Sequence, residues 1–188
     1  MIKIGITGSI ASGKTTASKI IALKRGPIFS ADKVVSSLYK KKKFKKLVAN
    51  KLKLKLDRNF KKILRDKLLD DKENLKKLEK IIHPLARKEM FAFINKNKNQ
   101  PFLFMEIPLL IESKLTKFFD IIFYIKSNKN LRLKRYKKNK NDPKLFKMLD
   151  NHQLKDSIKI KFCNHIVVNN ESLIILKRKL LNIMKLYE

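Results

Sequence analysis

The chain has one cysteine, Cys163, in 188 residues. A lone thiol closes no intramolecular disulfide, and its neighbours Phe162 and Asn164 complete no metal or redox motif. That usage fits a reducing compartment and a thiol that only packs. No apolar run reaches the roughly 18 residues that a membrane-spanning helix needs. The opening MIKIGIT lacks the charged, apolar, then small layout of a secretory signal, so the expected location is cytoplasmic. Acidic residues are also few: 16 against 47 Lys and Arg, a net charge of +31. Such an excess suggests a polyanionic partner. Yet only 7 of the 47 are Arg, and readers of bases and phosphates favour the arginine fork. The lysines are spread over the whole chain. Lys, Asn, Ile and Phe are abundant together, and these are the residues AT-rich codons supply. Base composition therefore accounts for the charge, and no specific nucleic acid is expected. A nucleotide's phosphates would be attracted in either case. KKKK at 40–43 reads as a solvated helix face.

Hydrophobic residues make up 44% of the chain, enough for the core of one domain with a small inserted lobe. Ile2, Ile4 and Ile6 alternate with Lys3, Gly5 and Thr7 and predict a first strand. A helix is expected from Gly13 to about Lys24, and Gly26-Pro27 breaks it. Ile28-Phe29 predicts a short buried strand ending at Ser30-Ala31-Asp32. Residues 33–97 read as helical throughout, with Pro84 starting a new helix after His83. FLFMEIPLLI predicts a buried strand turning at Pro108, and FFDIIFYI, residues 118–125, another. A very basic helix is expected over 129–140, a further helix from Pro143 to about Gln153, a last strand at 165–168 and a closing helix at 173–187. Strands alternating with helices predict an α/β fold, a parallel sheet covered on both faces. The expected organisation is a core of residues 1–32, 101–128 and 163–188, a helical lobe at about 33–100 and a lid at about 129–155.

Two of the chain's 4 glycines lie in GSIASGKTT. Gly8 to Thr15 matches G-x-x-x-x-G-K-[ST] without a mismatch. The chemistry needs these residue types. Gly8 and Gly13 let successive backbone N–H groups converge on one anion. The helix that follows adds the positive end of its dipole. Lys14 reaches the β- and γ-phosphates, and the Thr15 hydroxyl takes a place on Mg²⁺. The candidate nucleotide-binding set is Gly8, Ala11, Ser12, Gly13, Lys14, Thr15 and Thr16, with a nucleotide and Mg²⁺ as the expected ligands.

A phosphate loop does not specify what receives the phosphate, and three classes compete. A GTPase would use N-K-x-D, which Asn139-Lys140-Asn141-Asp142 spells. The tetrad follows a basic helix instead of a core strand, in a stretch built from Lys and Asn. No D-x-x-G accompanies it. A nucleic-acid-driven ATPase would want a longer chain, although Glu106 at the end of FLFME could hold Mg²⁺ through water. A kinase needs a base near the phosphate and a lid that brings positive charge. Asp32 suits the first role, at the carboxyl end of the second strand, where parallel sheets bind ligands. It suits a helix N-cap equally well. Arg132 and Arg135 suit the second role, or else face solvent on a basic helix.

Beyond the loop, several segments resemble the dephospho-CoA kinase family over nearly the whole chain. Ser30-Ala31-Asp32 resembles its D-A-D, and Leu56-Asp57-Arg58 followed by Leu75, Leu78 and Glu79 its L-D-R…L…L-E. His83-Pro84-Leu85 with Arg87 resembles H-P-x-x-R, and MEIPLLIES the D-[IV]-P-L-L-F-E segment. Leu133-Lys134-Arg135 resembles the lid entry, Gln153 the glutamine before the last strand, and Val167-Val168-Asn169-Asn170 the closing V-I-x-N. The resemblance implies ATP-dependent phosphorylation of the ribose 3′-hydroxyl of dephospho-CoA, the last step of coenzyme A synthesis. It implies Asp32 as the catalytic base, assisted by Lys14 and Arg135, with Arg135 over the phosphates and Asn169 near the adenine. His83, Arg87 and Leu109 then line the acceptor side, and Thr15 and Glu106 hold the metal. The implied partner is a small molecule, and the implied state a monomer or small homo-oligomer. The chain departs from the pattern at Ser30, at Ser36 where an arginine is usual, at Glu106 where Asp is common, and within Lys137 to Lys140, where a second lid arginine is replaced. Lysine supplies a point charge but not a planar fork. The departures bear on acceptor affinity and rate more than on reaction class. Two rivals remain: a kinase for another nucleoside, nucleotide or small alcohol, and a basic nucleic-acid-binding P-loop NTPase.

Overall fold

In the computed structural model, residues 1–139 and 141–188 are described. Five strands, β1 (Ile2–Thr7), β2 (Ile28–Ser30), β3 (Phe102–Glu106), β4 (Ile121–Lys126) and β5 (His165–Val168), form one sheet in the order β2-β3-β1-β4-β5. Every pairing is parallel. β1 is central, and the chain visits one side of it before crossing to the other. That reversal makes the carboxyl end of β1 the place where a parallel sheet opens a ligand crevice. The register aligns Ile6 of β1 and Ser30 of β2 with Glu106 of β3.

The strands are apolar runs because both sheet faces are covered. On one face Ile4, Ile6, Phe104, Phe123, Ile125 and Val167 pack against two helices, α1 (Lys14–Ala22) and the closing α9 (Leu173–Met184). Ala17 and Ile21 of α1 and Leu180 and Met184 of α9 are fully buried there. Each large side chain so buried contributes on the order of 1.5–3 kcal/mol.

The chain divides into two compact units, residues 1–30 with 94–188, and residues 31–93. The second is all helix: α2 (Ala31–Leu38), α3 (Lys42–Leu52), α4 (Phe60–Asp70) and most of α5 (Lys72–Lys96). Its buried residues are Leu38, Phe44, Val48, Leu52, Phe60, Leu64, Leu75 and Leu78, among others. The buried Asn74 side chain donates to the Lys67 carbonyl at 3.0 Å and ties α4 to α5. KKKK at 40–43 is exposed as expected, but only Lys42 and Lys43 of it lie in a helix.

Several expected elements differ. Helix does not run unbroken over 33–97. Lys53 takes a left-handed conformation, φ 54°, that ends α3, and 53–59 is non-helical. Pro84 does not start a helix but lies inside α5. Its missing N–H leaves the Lys80 carbonyl without the usual helical donor, a cost of about 3 kcal/mol. The helix persists because Leu75 and Leu78 before the proline and Met90 after it are buried on one element. β3 stops at Glu106, and β4 begins at Ile121 instead of 118, after a 3₁₀ turn at 116–118. A short helix α8 (Asp156–Lys159) and a 3₁₀ turn at 160–162, neither expected, precede β5. α6 (Lys129–Lys138) and α7 (Pro143–His152) fall where helices were expected. Lys140, within the expected 129–140 helix, lies outside the described residues. Among the described residues no helix is long and apolar enough to cross a membrane.

Candidate active site

GSIASGKTT joins the end of β1 to the start of α1. Gly8 has φ 150°, and a Cβ there would lie 2.3 Å from the Ile125 carbonyl oxygen. Gly13 is the N-cap of α1 with φ 98°, and its Cβ would lie 2.3 Å from Asn169 Nδ2. Neither position admits a side chain. Ala11 also adopts positive φ, 59°. The loop folds on itself through Ser12 N–H to the Ser9 carbonyl at 3.1 Å. The Lys14 ammonium curls back over the loop and donates to the carbonyls of Gly8, 3.1 Å, and Ser9, 2.9 Å. Ser12 Oγ is buried and finds no hydrogen-bond partner among the described residues. A buried hydroxyl beside the amino end of a nine-residue helix is suited to an anion's oxygen.

The Thr15 hydroxyl donates to Glu106 Oε1 at 2.5 Å. Glu106 is 2% exposed at the tip of β3, while Thr15 is exposed. The pair offers only oxygen donors and one carboxylate, the set that a small hard cation takes when it keeps waters and phosphates as its other ligands. Among the described residues no group of three or more His, Cys, Asp or Glu gathers into a metal cluster.

The third wall of the loop comes from α6 and the end of β5. Arg135 donates to Ser127 Oγ at 3.1 Å and the Asn169 carbonyl at 3.1 Å, with a longer contact to the Ser12 carbonyl at 3.5 Å. Burial lowers its guanidinium from the ordinary value. Asn169, 7% exposed, donates through Nδ2 to the Ser12 carbonyl at 2.8 Å.

A family model for dephospho-CoA kinase matches residues 2–174. The chain belongs to the dephospho-CoA kinase family. It is 32% identical to the dephospho-CoA kinase of Fusobacterium nucleatum over 178 residues, covering 90% of each chain. Among solved structures it resembles dephospho-CoA kinase from Campylobacter jejuni, with 27% identity and a TM-score of 0.65 over 97% of this chain and 95% of that one. Shikimate kinase from Acinetobacter baumannii shares the fold at 15% identity, with a TM-score of 0.59 over 100% of this chain and 93% of that one.

Seen as a dephospho-CoA kinase family member, the chain brings Gly8, Ala11, Ser12, Gly13, Lys14, Thr15, Thr16, Glu106, Arg135 and Asn169 together in the sheet-bearing unit. Leu109 is half-buried in the turn after β3, which Thr7 Oγ1 holds by donating to the Pro108 carbonyl at 3.1 Å. Asp32, His83 and Arg87 belong to the helical unit. Asp32 is in the first turn of α2, two residues beyond Ser30. His83 and Arg87 lie one turn apart on α5, where an i, i+4 spacing puts them on one face.

Arg132 is not a solvent-facing cation. It is 6% exposed, donates to the carbonyls of Ser127 at 3.0 Å and Ile10 at 3.3 Å, and pairs with Asp150 at 2.5 Å. Its guanidinium sits 5.7 Å from the centre of the Phe146 ring. The last residue of the N-K-x-D tetrad has a structural role. Asp142 caps α7 by accepting from the Lys144 N–H at 2.8 Å. The tetrad's Lys140, which also ends the Lys137–Lys140 stretch, lies outside the described residues. Sequence reasoning missed Ser9, Tyr124 and Asp156, whose side chains meet under the loop. Only Gln153 carried a signal, through its place in the family pattern, and its Oε1 accepts from the Ile10 N–H at 3.1 Å.

Proposed function

We propose that Lys14 and the loop amides hold the ATP phosphates while Asp32 receives the proton of the acceptor hydroxyl. The reaction is that of the family: ATP phosphorylates dephospho-CoA to give coenzyme A and ADP. We assign the attacking group as the ribose 3′-hydroxyl. Its oxygen bonds to the γ-phosphorus as the bond to the β–γ bridging oxygen breaks. The electron pair leaves on ADP, and the proton passes to Asp32. Such a transfer needs little covalent chemistry from the protein and much positioning and charge.

The observation that carries this reading is the loop itself, with Lys14 buried against its carbonyls and the Thr15–Glu106 pair at its mouth. Thr15 and Glu106 would hold Mg²⁺, which when bound offsets phosphate charge. We assign Arg135 and Asn169 to nucleotide binding, and His83, Arg87 and Leu109 to acceptor binding. We place the reaction in the cytoplasm, in keeping with the single thiol of Cys163, and take the working form to be a monomer or small homo-oligomer.

The test is ADP release from Mg·ATP with and without dephospho-CoA, beside Asp32→Asn. Release that needs this acceptor and falls at least about 100-fold in the variant, the lower end of the range for general-base catalysis, supports both assignments. Release indifferent to dephospho-CoA in a folded, ATP-binding protein overturns the acceptor. An Asp32→Asn variant with wild-type turnover overturns the base.

A further inference from the structure

The two limbs of the phosphate loop are held differently. Gly13 to Thr15 open α1, so helical hydrogen bonds fix them. Gly8 to Ile10 belong to no helix or strand. Side chains from residues 153–156 hold this limb. Gln153 accepts from the Ile10 N–H. Asp156 Oδ1 accepts from Ser9 Oγ at 2.7 Å and from the Tyr124 hydroxyl at 2.6 Å. The two hydroxyl oxygens are themselves 3.1 Å apart. Tyr124 is fully buried in β4 and cannot shift without disturbing the sheet. The segment that carries Asp156 is anchored as well. The Leu154 N–H donates to Glu112 Oε1 at 3.1 Å, and the fully buried Lys159 pairs with the same oxygen at 2.6 Å.

We propose that Asp156 is a positioning residue for the nucleotide site, acting through Ser9 on Lys14. Ser9 is the link because its two ends face different partners. Its side chain is fixed by Asp156, and its carbonyl accepts the Lys14 ammonium at 2.9 Å. Holding Ser9 therefore sets both the course of the Gly8–Ile10 backbone and the resting place of Lys14. A carboxylate close to a site for anionic phosphates opposes binding by its charge. Its value lies in accepting two hydrogen bonds at once from fixed hydroxyls, and an amide oxygen does the same without the charge. The inference rests on the reading of this loop as the cradle of the ATP phosphates.

The experiment measures Mg·ATP binding by calorimetry, steady-state KM and kcat for each substrate, and thermal melting. It compares wild type with Asp156→Ala, Asp156→Asn, Ser9→Ala and the Ser9→Ala/Asp156→Ala double variant. Losing a hydrogen bond to a charged acceptor corresponds to about a tenfold weakening. The expected result is about a tenfold rise in Kd and KM for ATP in Asp156→Ala, with KM for dephospho-CoA within about twofold. Asp156→Asn should return to near wild-type affinity. The double variant should lose no more than either single one, because both remove the same link. ATP affinity unchanged in Asp156→Ala overturns the proposal, as do losses that add in the double variant. Should Asp156→Ala fail to fold, Ser9→Ala decides: a loss confined to ATP supports the link, and wild-type ATP affinity overturns it. A wild-type protein that binds ATP but ignores dephospho-CoA refutes the acceptor and leaves this inference intact. One that binds no ATP refutes both.

Discussion

The hydroxyl of Thr15, second residue of α1, donates to the carboxylate of Glu106, last residue of β3, across 2.5 Å. The contact joins the helix after the phosphate loop to the neighbouring strand, and Glu106 has almost no other exposure. Loss of a group that holds or orients a metal typically weakens the metal by about 10- to 100-fold. Glu106→Ala is therefore expected to raise the Mg²⁺ concentration for half-maximal activity by about that factor. Glu106→Asp, with the side chain common in the family, should cost much less. The check is a Mg²⁺ titration of ADP release at fixed ATP. A Glu106→Ala enzyme with the wild-type Mg²⁺ requirement would show that the carboxylate only tethers Thr15.

Gly13 and Asn169 touch in a way that admits no side chain at Gly13. A methyl there would stand 2.3 Å from Asn169 Nδ2 on a backbone of φ 98°. The conformation alone costs an L-residue about 1–2 kcal/mol, and the clash displaces an amide that holds the Ser12 carbonyl. Gly13→Ala should lose nucleotide binding by at least about tenfold while the far side of the sheet keeps its fold. In the Asn169→Ala background the added methyl meets no amide but keeps its backbone strain. That pair should recover stability only in part. Urea unfolding together with ATP titration separates the two effects.

The loop is legible in sequence because its chemistry is local: nine consecutive residues carry both the turn and the ligands. The strands are legible because a parallel sheet covered on both faces leaves uninterrupted apolar runs such as IIFYI. Arg132 is different. Along the chain it reads either as a lid cation or as a solvent-facing one, and the partner that decides its role, Asp150, is 18 residues away on the next helix. Asp156 is further removed, since its hydroxyl partners lie 147 and 32 residues away. Such contacts leave no period or motif. Pro84 misleads for another reason. Proline is favoured at a helix start, but buried residues on both sides of it carry α5 through.

Arg132 and Asp150 give helices α6 and α7 a pH signature. Burial alone would raise the Asp150 carboxyl, but the hydrogen bonds from Arg132 and Lys129 outweigh it and hold the group below its ordinary value. An unfolded Asp titrates at about 3.9. The pair therefore contributes its full stability above about pH 4 and loses it as pH falls through the lower folded value. Asp150→Asn should be less stable than wild type by about 2 kcal/mol at pH 7. The gap should narrow as pH falls below 4. Denaturant unfolding at pH 7, 4 and 3 tests this. A gap that stays constant across those values would mean that the charge of Asp150 contributes nothing.

The buried pair of Lys159 and Glu112 yields the last prediction. Lys159 has no exposure, and its ammonium lies 2.6 Å from Glu112 Oε1. Removing one member of such a pair strands the other charge and costs about 3–5 kcal/mol. Lys159→Met should fall in that range by urea unfolding. Replacing both charges should recover most of the loss, but the choice at 112 matters. Glu112 Oε1 also accepts the Leu154 N–H, so Glu112→Leu would leave that exposed donor to water whereas Glu112→Gln retains an acceptor. Lys159→Met/Glu112→Gln is thus expected to be more stable than Lys159→Met/Glu112→Leu by about 0.5–1.5 kcal/mol, the net worth of one hydrogen bond. If the two doubles are equal, the Leu154 N–H finds another partner, and the anchoring of residues 153–156 does not run through Glu112.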